Sequence, residues 1–258
     1  MKNIFETFTD YYLRISSGKP IKSIVPQISL FEGGGSDIGK FELLTSTLFE
    51  VREYAEQVFK SYDRELDEEI PDFDNNFKQA KEIFLHGSTL RKDMPAIEDY
   101  QVKGFKQSLE QGRIDIFPPW SDHTDPNNPF PDGLSGEDAK LFLMAGLLDG
   151  SKTDDKVDVF RLNETVKNLK PIQRQVYIDK NIKRIAEGGS KESRKFLSKS
   201  LVIASSDNFI IDGHHRFLTA LLIDPTIKLK GIRIDLDINK LKALAVAYGD
   251  AIGNKRNK

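Results

Sequence analysis

An apolar run from Asn208 to Asp212 leads into Gly213-His214-His215-Arg216 and continues without a break into Phe217-Leu-Thr-Ala-Leu-Leu222. Strand, tight turn and helix in that order leave free backbone N–H groups, and the positive end of the helix dipole, at residues 213 to 216. Two of the chain's four histidines and an arginine stand at that spot, adding cationic, donor-rich side chains, so the pentapeptide reads as a cradle for phosphate. The plain structural alternative is a buried turn in which one histidine caps the helix and the arginine pairs with a surface carboxylate. Two adjacent histidines followed by Arg concentrate more donor capacity than packing needs, which favours the anion reading.

The elements that must position this turn are legible in outline. Lys156–Leu162 reads as a strand, Pro171–Glu187 as a helix, Leu201–Ala204 and Phe209–Ile211 as strands, His214–Ile223 as a helix and Leu229–Leu236 as a strand. That alternation within about 80 residues predicts a compact α/β unit. Upstream, apolar positions at three- and four-residue spacing predict a helix over Phe41–Tyr62, a second over Asp74–Leu85 and a third over Ile97–Gln111 with Gly112 capping it. A further helix is expected over Gly136–Leu148. Residues 1 to 31 read as a helix and then an extended segment. The expected fold class is therefore α+β, with a mostly helical region at 1–150 followed by a smaller α/β domain at 151–258. The five prolines of residues 117–136 make a long structured loop whose Trp120 and Phe130 should pack onto a partner or the other half of the chain.

Composition narrows the chemistry. A net charge of -2 gives no global bias toward nucleic acid or membrane, and zero cysteines remove disulfides, thiolate metal sites and cysteine nucleophiles. No apolar run approaches the roughly 20 residues that span a bilayer, and the N-terminal residues lack a signal-peptide core; the expected setting is cytoplasmic, without a membrane partner. Gly34 to Lys40 has Walker A spacing but continues into Phe41 where Ser or Thr would hold magnesium, so a glycine turn capped by Ser36 or Asp37 is the better reading. His86 and His123 are isolated and read as structural. No His/Asp/Glu spacing points to a protein-only metal site.

The C-terminal third resembles the ParB/sulfiredoxin-like superfamily. Asp212-Gly213-His214-His215-Arg216 is similar to the form in its free serine kinases and phage ParB-like domains. Leu169-Lys170-Pro171-Ile172-Gln173, with Tyr177, Lys180 and Ile185, resembles the family's entry helix, and Leu201 to Asn208 its strand hairpin. The matched region is about residues 157 to 236. The departures narrow the family: without cysteine the chain cannot perform sulfinic acid repair, and about 40 residues after the motif hold a strand and one helix rather than a helix-turn-helix domain.

What the resemblance implies is a nucleotide-binding protein, an ATP- or ADP-dependent phosphotransferase or a nucleotide hydrolase, with Mg²⁺ arriving with the nucleotide. In that reading Gly213, His214, His215 and Arg216 take the phosphates, Gln173 and Lys180 contact the nucleotide or its acceptor, and Asp212, His214 and His215 are the catalytic candidates, with Glu164 and Asp207 as weaker bases. Arg91 and Lys92, in a segment similar to one accompanying phage ParB-like domains, are expected to face the same ligand. The rival is a non-catalytic phage structural or DNA-associated module, in the host cytoplasm for a phage-encoded chain. A homo-oligomer fits either reading. Nucleic-acid binding has only the Lys255–Lys258 tail and scattered lysines in its favour.

Overall fold

A computed structural model describes residues 41–116, 133–151 and 153–255, and residues 39–258 form one compact unit. The helix and extended segment expected in residues 1 to 31, the glycine turn before Phe41, Trp120, His123 and Phe130 of the proline-rich loop, and the last three residues lie outside the described ones.

The centre is a five-stranded mixed sheet: β1 (Val159–Thr165), β2 (Lys170–Pro171), β3 (Leu201–Ser205), β4 (Phe209–Asp212) and β5 (Lys228–Ile234), in spatial order β1-β5-β3-β4-β2. β1 runs antiparallel to β5, β5 parallel to β3, β3 antiparallel to β4, and β4 parallel to β2. A tight turn joins β3 to β4, with Asn208 in the left-handed region at φ 69° and Ser205 Oγ accepting from Phe209 N at 3.0 Å.

Nine helices flank it among the described residues: α1 (Leu48–Ser61), α2 (Leu66–Glu69), α3 (Phe73–Phe84), α4 (Val102–Glu110), α5 (Gly136–Phe142), α6 (Ala145–Leu148), α7 (Ile178–Leu197), α8 (His214–Ile223) and α9 (Ile238–Ala251). The α+β class expected from sequence is what the chain adopts. Val202 and Ala204 of β3, with Ile210 of β4, pack into one core with α1, α3, α7 and α8; Ile203 and Ile211 point into a second core with α4, α5 and α9. Burial on both faces explains why β3 and β4 read as continuous apolar runs rather than alternating ones. Both cores draw on residues from either side of position 150.

Several boundaries differ from expectation for identifiable reasons. α1 starts at Leu48, because Thr47 and Glu50 form a reciprocal capping box, while residues 41 to 43 pair with 176 to 178 as extended chain. The entry segment expected as a helix from Pro171 is extended to Tyr177, since Lys170–Pro171 pair with β4 and Thr89 bridges to Gln173. α7 then continues past Glu187 through a break at Gly189, φ 78°. There the Arg64–Glu69 ion pair sits against the backbone, and Glu69 accepts from Ser190 N at 2.7 Å, capping the second half. Gly112, φ 58°, follows the last turn of α4 as expected of a glycine that ends a helix. The helix expected over Gly136–Leu148 is two short ones, α5 and α6.

Candidate functional site

Asp212 ends β4, and Gly213 turns the chain at φ 87° and ψ 23°, a left-handed conformation suited to glycine. Space demands glycine as well: a Cβ there would lie 2.8 Å from Val202 Cγ1. α8 starts immediately, and its N-cap residue, Gly213, has no side chain with which to cap the first turn. The turn faces α7, whose Lys180, Asn181 and Arg184 lie along one face by their spacing, and the 3₁₀ turn Arg91–Asp93.

The residues brought together divide into two sets. One faces inward. His214 is 5% exposed, and its Nε2 accepts from Gln173 N at 3.2 Å, while the ring also hydrogen-bonds the Ile210 backbone. With Nε2 accepting, the proton belongs on Nδ1. Burial, then the charges of His215 and Arg216, push this ring down to about 3, so it is neutral, with both nitrogens serving the backbone. Arg216, equally buried, is held from two sides: Nη1 bonds both Asp99 carboxylate oxygens at 2.7 and 2.9 Å, and Nη2 bonds Asp212 Oδ2 at 2.7 Å. Gln173, expected at the ligand, is buried; its side-chain amide donates to the Gln175 carbonyl. Behind it the buried Lys242 donates to Thr89 Oγ1 at 3.2 Å.

The second set centres on His215. Asn181, fully buried, donates through Nδ2 to the His215 carbonyl at 2.6 Å and to Thr219 Oγ1 at 2.8 Å. That orientation turns Asn181 Oδ1 toward His215 Nδ1 at 3.3 Å, so Nδ1 carries the proton and Nε2 keeps its lone pair. Burial first, and then the positive charges of Arg91, Arg184, Lys180 and Arg216, push this imidazole down to about 3. Four cations whose fields reach one ring, one of them offset by Asp99 and Asp212, make the start of α8 a positive locus. An arriving oxyanion would meet that potential, the backbone N–H groups of the first turn and, on Arg91, Lys180 and Arg184, side chains suited to phosphate.

Of the other residues singled out, Lys92 is exposed on the same short turn as Arg91, and His86 is exposed after α3. Glu164 is held by Asn168 and Thr165 on the β1 edge, and Asp207 accepts from Ser205 Oγ at 2.5 Å in the β3–β4 turn. Asp99, Asn181 and Arg184 were not anticipated. The i, i+4 pairing of Lys180 with Arg184 was the available sequence signal for the last. Away from this site, carboxylate oxygens of Asp149, Asp154 and Asp155 gather within 4.8 Å of one another, a group the sequence reading did not single out.

The site and sheet define an α+β protein with a basic strand-to-helix turn. No family model, curated protein or solved structure matches the chain. No helix of the described residues is long and apolar enough to cross a membrane.

Proposed function

We propose that the protein binds a phosphorylated ligand, a nucleotide accompanied by Mg²⁺, at the start of α8. The observation that carries the reading is the convergence of Arg91, Lys180, Arg184 and Arg216 on His215 beside a ten-residue helix that starts on a glycine. Phosphate oxygens would take the amides of residues 214 to 216 and the charges of Lys180, Arg184 and Arg91. Arg216, already bridged by Asp99 and Asp212, would contribute its field rather than a free guanidinium face. Those two carboxylates are drawn to Arg216, so the Mg²⁺ would be held chiefly by the phosphates it accompanies. Phosphoryl transfer would in addition need a base. Of Asp212, His214 and His215, the last has a ring nitrogen with no partner among the described residues, and it would receive the acceptor's proton only with the phosphate charge in place to offset the cations that help hold its pKa down.

A second reading has an observation of its own. The double ion pair of Arg216 and the two backbone bonds of His214 tie β4, the Gln173 segment after β2 and the Asp99 loop together, as expected of a folding motif in a non-catalytic module.

Thermal unfolding with Mg²⁺ and each of ATP, ADP, CTP and GTP separates them, run on the native chain and on Lys180→Ala/Arg184→Ala. The binding reading expects a nucleotide-selective rise in Tm that the double variant loses while its ligand-free Tm stays within about 2 °C. No rise with any nucleotide favours the structural module.

A further inference from the structure

The loop between α6 and β1 poses an electrostatic problem that the described residues leave open. Asp155 is 1% exposed. Its Oδ1 accepts from Ile116 N at 2.7 Å, but its Oδ2 is buried with no hydrogen-bond partner among the described residues. The carboxylate stands among others: Asp149, Asp154 and Asp155 each place one oxygen within 4.8 Å of the other two, and Asp115 adds a further negative charge nearby. A buried carboxylate is ordinarily paired, hydrogen-bonded or bound to a metal. The backbone is shaped around this one. A Cβ at Gly146 would lie 2.6 Å from Asp155 Oδ2 and 2.7 Å from the Gly112 carbonyl oxygen, so an alanine there would displace the carboxylate.

We infer that Asp149, Asp154 and Asp155 bind a hard divalent cation, Ca²⁺ or Mg²⁺, with the orphaned Oδ2 of Asp155 as its inner ligand. The donor set is all oxygen, which selects hard ions over Zn²⁺ or Cu²⁺. Asp149 and Asp154 are exposed and give the ion an entry side with room for water ligands. The site is separate from the turn at α8: Asp155 precedes β1 at one edge of the sheet, and β4, which carries Asp212, lies three strands away. A cation there would fasten the start of β1 to the Ile116 and Gly112 backbone, so its effect is expected on stability rather than on the phosphate ligand.

The full chain is stripped with EDTA and its thermal unfolding followed in EDTA, in about 5 mM Ca²⁺ and in about 5 mM Mg²⁺, above the dissociation constants of weak oxygen sites. A rise of roughly 5 °C with one of them is expected, and the responding ion names the occupant. Asp149→Asn/Asp154→Asn, confined to exposed side chains, should abolish the rise and the corresponding titration heat. Asp155→Asn should melt higher than the native chain in EDTA and ignore both ions. No response of the native chain to either ion, or a response that survives in the Asp149/Asp154 variant, overturns the inference.

Discussion

The start of α8 and the α6–β1 loop both bury charge, and they resolve it differently. At α8 the buried guanidinium of Arg216 lies between Asp99 and Asp212, and the buried His214 is kept neutral with each ring nitrogen given a backbone partner. In the loop, the buried Asp155 meets Asp149 instead of a cation, and one oxygen has no hydrogen-bond partner among the described residues. A buried pair is stable because removing either member strands the other, whereas stacked carboxylates are stable only with a proton or a metal among them. The inner half of the α8 turn is therefore complete by itself. The outer half gathers cations around His215, and the aspartate loop gathers carboxylates around Asp155.

Breaking Arg216 should have the largest consequence. Arg216→Ala removes the guanidinium between Asp99 and Asp212 and empties a buried volume, so a loss of about 3 kcal/mol, or roughly 5–10 °C in Tm, is expected with or without ligand; a change within 1–2 °C would mean that the ion pairs do not organise the turn. Gly213→Ala should follow at about 2 kcal/mol, from left-handed strain and the clash with Val202, measured by denaturant unfolding. pH then separates the two regions by sign. His214 and His215 titrate near 3 when folded and near 6.5 when unfolded, so the unfolded chain binds more protons and their contribution, full above pH 6.5, is lost as pH falls toward 3. Asp155 is pushed up to about 6 by burial and neighbouring carboxylates, so its contribution is present below pH 3.8 and lost as pH rises through 6. Two histidines against one aspartate predict a Tm that falls from pH 7 to pH 4.5. His215→Gln should make that fall shallower and Asp155→Asn steeper; the reverse pattern would refute the assignment of the two signs.

The strand–turn–helix core of this site was legible in the chain because its signals are local: an apolar run, Asp-Gly, then an apolar helix. Thr47 and Glu50 were equally local, yet the helical spacing of Phe41 and Leu44 concealed them. What could not be read was the division of labour within the motif. The partners that turn His214 and Arg216 inward are Gln173 and Asp99, 41 and 117 residues away in sequence, so nothing near the motif marks which of its donors are already engaged. Gly188-Gly189 reads as a helix end for the same reason, since Arg64 and Glu69, which carry α7 across it, belong to a distant segment. The Asp149, Asp154 and Asp155 grouping is compact in sequence, but the burial that distinguishes Asp155 is set by Ile116, Gly112 and Gly146.

The most direct test is isothermal titration of the native chain and of Lys180→Ala/Arg184→Ala with the nucleotide that raises Tm most, and with inorganic pyrophosphate, in two buffers of different ionisation enthalpy. Phosphate bound beside His215 would offset the cations that, after burial, hold its ring neutral, so any proton exchange on binding should be uptake, and the double variant should bind at least about tenfold more weakly. Equal affinity in the two proteins, or no heat from any phosphate compound with the native chain, would contradict a phosphate site at the start of α8.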